Sequence, residues 1–122
     1  MIKKIIAISA VASVLLLGAS VLADSKASFT FKNNTGQRVN DLHIEFNTAV
    51  SVTNQGPFPN LTDNDTSKPT LSGAVVAPGG TASISVTGQA NKTRIKKWWW
   101  TLDTKQVGPT HEGCKAPDCT SP

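Results

Sequence analysis

The sequence has few of the side chains from which enzymes build active sites. It contains two histidines, His43 and His111, two cysteines, and no Gly-x-Ser-x-Gly segment that would present a serine nucleophile. The chain also lacks a large excess of positive or negative charge. Two of its twelve lysines and arginines lie among the first four residues, and the remaining ten face eight acidic residues, which gives a net charge of +2 beyond the start. These absences predict a protein that is not an enzyme and uses no cofactor, and they argue against nucleic acid as a partner.

Long apolar runs are absent except at the N-terminus. There a cationic start precedes an apolar run over residues 5–17 and small residues up to Ala23. This pattern predicts a signal peptide over residues 1–23 and secretion of the remainder, to the extracellular medium or the periplasm. No cysteine follows the cut to carry a lipid, and no later run is long enough for stable membrane insertion. The alternative is that residues 5–23 stay uncut as a single N-terminal anchor.

Helical periodicity is lacking after residue 23, whereas apolar and polar residues alternate repeatedly. The clearest alternation sets Leu42, Ile44 and Phe46 on one face against Asp41, His43 and Glu45 on the other. Six or seven such strands, separated by Gly, Pro and Asn, predict an all-β, antiparallel β-sandwich over residues 24–106, with a small barrel as the alternative. Residues 107–122 are predicted to form an irregular tail.

The segment over residues 54–69 interrupts the strand pattern. Its sixteen residues contain three prolines and five Asn or Asp, with Phe58 and Leu61 as its large apolar members. Loops of this length in a compact domain are usually functional or mobile. The sequence therefore predicts a long loop that is either a recognition element or a flexible excursion.

Three short sequence segments resemble segments of a group of known proteins: Phe29-Thr-Phe-Lys-Asn-Asn-Thr-Gly36, Val39-Asn-Asp-Leu-His43 and Ala77-Pro-Gly-Gly-Thr-Ala-Ser-Ile84. They are similar to segments of small exported bacterial proteins with immunoglobulin-like β-sandwiches, many of which have no assigned activity. The Cys-Trp-Cys arrangement of antibody domains is absent, because both cysteines follow the last predicted strand. The resemblance implies an immunoglobulin-like fold, and no functional residue carries over from it.

Every tryptophan of the chain occurs in one run, directly after a cluster of cations. On a regular strand Trp98 and Trp100 share one face, whereas Trp99 shares the other with Ile95 and Lys97, so at least one indole is a surface candidate. An exposed indole flanked by hydrogen-bond donors suits the stacking of a sugar ring. The sequence therefore predicts a ligand site built from Arg94, Lys96, Lys97, Trp98, Trp99 and Trp100. The alternative is that the indoles belong to the core and the lysines only solvate the strand.

Carboxylates and imidazole share one predicted strand face. Asp41, His43 and Glu45 lie at two-residue spacing, which brings together ligand types that hold divalent ions. Alternate positions of a solvent-facing strand are polar in any case, so we expect no metal there and keep these three residues as minor candidates.

The two cysteines, Cys114 and Cys119, enclose four residues in a chain predicted to reach an oxidising compartment. A disulfide is the expected outcome, closing a small loop that stiffens the tail rather than the core. The alternative is a zinc site completed by His111.

Together these patterns predict a secreted binding module without catalytic activity, in which the tryptophan-bearing strand binds carbohydrate such as an extracellular polysaccharide. One alternative is a structural or adhesive module that binds another surface protein through the 54–69 segment or an exposed sheet edge. A remoter alternative is a small metal-dependent hydrolase built around His43.

Overall fold

The computed structural model describes residues 25–89, 93–114 and 118–119, so the predicted signal peptide lies outside the described residues. The described residues form nine strands and no helix, which confirms the prediction of an all-β protein. Among them there is consequently no helix of membrane-spanning length and hydrophobicity. The strands are β1 (Ser25–Lys32), β2 (Val39–Phe46), β3 (Ser51–Asn54), β4 (Asn60–Thr62), β5 (Thr70–Val76), β6 (Thr81–Gly88), β7 (Ile95–Leu102), β8 (Lys105–Glu112) and β9 (Asp118–Cys119).

The strands form two sheets that pack face to face. One sheet has the order β3-β6-β1-β9 and the other β4-β5-β2-β7-β8. All named strand pairs are antiparallel except β1 and β9, which run parallel. Aromatic pairs join the sheets: the Phe29 and Phe46 ring centroids are 5.9 Å apart, and those of Phe31 and Trp98 are 5.0 Å apart. The arrangement is consistent with the predicted β-sandwich.

The core forms because alternate residues of each central strand are apolar. In β2 the inward side chains of Leu42, Ile44 and Phe46 are at most 2% exposed, while the intervening polar residues face outward. The same period of two governs β6, whose inward residues are Ala82, Ile84 and Val86.

A buried asparagine ties the turn after β1 to the turn before β6. Asn33 is fully buried, and its side-chain amide donates to the carbonyls of Gln37 (2.7 Å) and Val76 (2.9 Å). Its backbone N–H donates to Gly80 O and its carbonyl accepts from Gly79 N. Satisfying these polar groups makes burial of the amide tolerable and fixes both predicted turns.

The strands continue past the boundary predicted at residue 106. The structure places β8 at the edge of the five-stranded sheet and β9 beside β1, where the sequence predicts an irregular tail. Most of β8 is exposed, and it contains the pair Gly108-Pro109. Val107 and His111 are its partly buried residues and lie four positions apart, so this edge strand has no regular alternation to detect, which explains the difference.

The 54–69 segment is folded rather than a structureless loop. It contains β4, which pairs with β5, and it inserts Phe58 into the core at 2% exposure. The side chain of Asn64 accepts a hydrogen bond from Val52 N at 2.8 Å, and Thr66 forms a bridge with Val50. These contacts join the segment to β5 of the five-stranded sheet and to the β3 region of the four-stranded sheet.

Candidate functional site

The three consecutive tryptophans divide between the core and the surface. Trp98 and Trp100 are 1% and 0% exposed and meet edge to face with ring centroids 5.9 Å apart. Trp99 points to the outer face of the five-stranded sheet and is half-buried. The predicted ligand site therefore narrows to Trp99, because the other two indoles fill the sandwich interior.

Trp99 stacks on a histidine of the neighbouring strand. The register of β2 with β7 pairs His43 with Trp99, and their rings are 5.2 Å apart at an interplanar angle of 4°. Stacking across strands leaves one indole face covered by imidazole and turns the rest of the ring toward solvent and neighbouring side chains. This His43–Trp99 pair is the centre of the site.

Hydroxyl groups hold both nitrogens of His43. Nε2 lies 3.1 Å from Thr101 Oγ1 and Nδ1 lies 3.4 Å from Thr70 Oγ1. Thr101 in turn donates to Asp41 Oδ2 at 3.2 Å. Partial burial lowers the pKa of His43 below its usual value of 6.5, while the charge of Asp41 opposes that shift.

A β-bulge brings two lysines to one carboxylate. Glu45 pairs with Lys97 and Phe46 with Ile95, so Lys96 is an extra residue in β7. The Nζ atoms of Lys96 and Lys97 lie 3.7 and 3.6 Å from the Glu45 carboxylate oxygens. The bulge also turns Ile95 into the core at 3% exposure, which corrects the predicted grouping of Ile95 with the outward residues.

Arg94 stands apart from this arrangement. Its side chain is exposed just before β7, and its backbone N–H donates to Asn47 Oδ1 at 2.8 Å. Of the predicted cations Lys96 and Lys97 approach the site through the Glu45 carboxylate, and none of the three lines the pocket beside Trp99.

A pocket of about 210 Å³ opens beside the His43–Trp99 pair. It has an aromatic wall, carboxylate acceptors, an ammonium donor and a hydroxyl, and its lining residues are His43, Ile44, Glu45, Asp63, Lys68, Thr70 and Trp99. The 54–69 segment supplies Asp63 and Lys68, and the sheet supplies the rest. Aromatic and hydrogen-bonding groups are thus combined in one small concave site.

A second hollow, of about 170 Å³, lies at the edge of the four-stranded sheet. Its lining has no aromatic side chain and consists of Ala49, Val50, Ser51, Asp65, Thr87, Gly88 and Gln89. It offers less for recognition than the pocket at Trp99.

The three candidate metal ligands, Asp41, His43 and Glu45, contact other side chains of the protein. Asp41 accepts from Thr101, His43 is held by two hydroxyls, and Glu45 faces two lysines. In the described part of the chain no group of three or more His, Cys, Asp or Glu side chains is placed to hold a metal ion.

The cysteines form the predicted disulfide, with Cα atoms of Cys114 and Cys119 5.2 Å apart. This rules out the zinc alternative with His111, because a disulfide offers no thiolate ligands. His111 instead packs against Trp98, with ring centroids 4.3 Å apart.

The proximity of Thr70 to His43 does not make a nucleophilic centre. Thr70 lies in β5 and is paired on one side with His43 and on the other with Thr62. A nucleophile of this kind needs backbone donors directed at the developing oxyanion, and a residue paired on both sides within a sheet has its backbone committed to the ladders.

Four contributors escaped prediction from the sequence: Asp63, Lys68, Thr70 and Thr101. The two threonines carry a local signal, because the alternation in their strands places both on the polar face. Asp63 and Lys68 carry none, since their positions depend on how the 54–69 segment folds over the sheet. Comparison of the chain with protein-family models, with curated proteins and with solved structures finds no match.

Proposed function

We propose that the protein is an exported, non-catalytic binding module that holds a carbohydrate in the pocket beside Trp99. The observation that carries this proposal is the His43–Trp99 pair, which forms an aromatic wall next to carboxylate, ammonium and hydroxyl groups. Sugars present axial C–H groups to aromatic surfaces and hydroxyls that both donate and accept hydrogen bonds. The pocket offers a partner for each of these groups.

We further propose an immunoglobulin-like sandwich. In that fold one sheet has the order A-B-E-D and the other G-F-C with C′ beside C. The strands β1, β6 and β3 take the places of B, E and D, while β8, β7, β2 and β5 take those of G, F, C and C′. One departure is that β3 precedes β5 along the chain, whereas strand D follows C′ in the immunoglobulin order.

Export is supported by two independent features. The N-terminal 23 residues have the composition of a cleavable signal peptide, and the Cys114–Cys119 disulfide is of a kind that persists in oxidising compartments. Polysaccharide at the cell exterior is the partner that we propose.

Binding is tested with soluble xylan, mixed-linkage β-glucan and galactomannan, by calorimetry and by iodide quenching of tryptophan emission. Because Trp98 and Trp100 are buried, iodide reaches Trp99 alone, and a bound polysaccharide should protect it. Trp99→Ala should weaken binding at least about tenfold with an unchanged circular dichroism spectrum.

The matched control is Val75→Ala, which also removes an exposed apolar side chain, 60% exposed, from the same sheet but outside the pocket. We expect this variant to bind like the wild type. Emission and quenching that none of the three polysaccharides changes would reject the carbohydrate proposal.

A further inference from the structure

A continuous chain of hydrogen bonds crosses three strands behind the pocket. It runs from Asp41 through Thr101 and His43 to Thr70, with separations of 3.2, 3.1 and 3.4 Å. Thr101 is 4% exposed and lies outside the pocket lining, whereas Thr70 and His43 line the pocket. The buried Thr101 is thus connected to the pocket by hydrogen bonds through the imidazole ring of His43.

The number of protons fixes the direction of each bond. A carboxylate only accepts, so the single proton of Thr101 is directed at Asp41 and its oxygen accepts from His43. Nε2 must then carry the proton of the neutral ring, which leaves Nδ1 as an acceptor. The hydroxyl of Thr70 consequently donates to Nδ1.

We infer that Thr101 is a positioning residue: by fixing the tautomer of His43 it makes Thr70 an acceptor toward the pocket, so the site selects a ligand hydroxyl or amide that donates. Thr70 has one proton, and His43 takes it, so only the lone pairs of its oxygen remain for a bound molecule. This inference rests on the proposed function, because it specifies which hydrogen bond the carbohydrate makes there.

Charged groups around His43 come from several elements. On its own strand these are Asp41 and Glu45, and across on β7 the ammonium of Lys97 is directed at Glu45. The 54–69 segment adds Asp63 and Lys68 on the pocket side, while β5 presents uncharged Thr70 and Ser72. On β8 the position opposite Lys97 is Glu112.

Acidification should reverse the last bond of the chain. A protonated imidazole donates from both nitrogens, so Thr70 would accept from Nδ1 and turn its own proton toward the pocket. The partial burial that lowers the pKa of His43 keeps the ring neutral at pH 7 and above, where the acceptor form of Thr70 is present. A ligand hydroxyl that its other partners hold in the donating orientation should therefore bind more weakly as the pH falls.

The orientation is tested without any ligand, by nitrogen NMR of the ¹⁵N-histidine-labelled protein at pH 7.5. We expect His43 to show a protonated Nε2 and an unprotonated Nδ1 in the wild type and in Thr101→Ser, which retains the hydroxyl. Thr101→Val should lose this single tautomer, and His111 in the same spectrum is the internal control. A wild-type ring protonated at Nδ1, or a Thr101→Val spectrum identical to the wild type, would overturn the inference.

The consequence for binding is measured with the same xylan, mixed-linkage β-glucan and galactomannan at pH 8 and pH 5. The polysaccharide that binds should do so about tenfold more weakly to Thr101→Val at pH 8, with affinity retained in Thr101→Ser. Wild-type affinity should also fall between pH 8 and pH 5.

The two failures are distinguishable. If the wild type binds none of the three polysaccharides, the proposed function is rejected, and so is the selection of a donor group. The tautomer spectrum still decides the orientation of the Thr70 hydroxyl in that case. Binding that Thr101→Val leaves unchanged would reject the positioning role and leave the proposed function intact.

Discussion

His43 and His111 each lie against an indole, but on opposite sides of the same sheet. His43 stacks on Trp99 at the outer face, whereas His111 packs on Trp98 from the inner side. Partial burial lowers the pKa of both rings below the usual value of 6.5, with Asp41 opposing the shift at His43 alone. The folded protein therefore resists protonation at both positions more than the unfolded chain does.

Stability should decline on acidification because of these two rings. Their pKa values are lower in the folded state, so below about pH 6.5 the unfolded chain binds more protons. The histidine contribution is fully present above pH 6.5 and is lost as the pH falls through the folded-state values. Urea unfolding at pH 8, 7, 6 and 5 measures the decline, which His43→Gln and His111→Gln should each reduce. A free energy of unfolding that stays constant from pH 8 to pH 5 in the wild type would contradict this account.

Residue-scale patterns were enough to predict that at least one indole leaves the core, but not which one. Alternation separates Trp99 from Trp98 and Trp100 whichever way the strand faces. The choice depends on the opposite sheet, where Phe31 packs against Trp98. That contact joins residues 67 positions apart, which no local pattern encodes.

At the scale of the element, the bulge in β7 explains both the inward Ile95 and the two lysines at Glu45. One extra residue shifts the phase of alternation, so side chains on either side of it change face relative to a regular strand. Because Lys96 is the extra residue, Ile95 remains in the core and Lys97 remains on the surface.

Deleting one of the two adjacent lysines should therefore regularise β7 without disturbing the core. The shortened chain still pairs Glu45 with lysine and Phe46 with Ile95, now without an extra residue between them. We expect its free energy of unfolding to stay within about 1 kcal/mol of the wild type, since the lost ion pair is exposed. Chemical denaturation followed by circular dichroism measures the difference.

The matched control for this prediction is deletion of Trp99, which also shortens β7 by one residue. It leaves Trp98 and Trp100 adjacent, so one of them must leave the core, and we expect a loss of about 3 kcal/mol or more. Equal destabilisation by the two deletions would show that the bulge is required for folding.

The strands differ in how well the sequence predicts them, for a physical reason. Buried strands such as β2 and β6 have one apolar face and were predicted. The edge strand β8 pairs with β7 in a hairpin but has no regular apolar face, and the 54–69 segment is held by core contacts such as that of Phe58. The same difference applies to the site. Its His43–Trp99 pair lies on central strands, whereas the positions of Asp63 and Lys68 depend on the fold of the 54–69 segment.

At the scale of the whole molecule, the disulfide connects the two sheets. Cys114 follows β8 of the five-stranded sheet, and Cys119 lies in β9, paired with Phe31 of the four-stranded sheet. Cys119 is 2% exposed and belongs to the core. The sequence predicts that the bridge stiffens the tail rather than the core, whereas its two ends belong to opposite layers although the loop that it closes is small.

Loss of the bridge should consequently lower the stability of the sandwich and not only of its C-terminal end. For a loop this short the chain-entropy model gives about 2 kcal/mol, and release of β9 would also uncover Phe31. We expect Cys114→Ala/Cys119→Ala to lose about that amount in urea unfolding at pH 7, and a reducing agent to produce a similar loss in the wild type and none in the variant. If the oxidised wild type and the variant unfold at the same urea concentration, core packing alone holds the two sheets together.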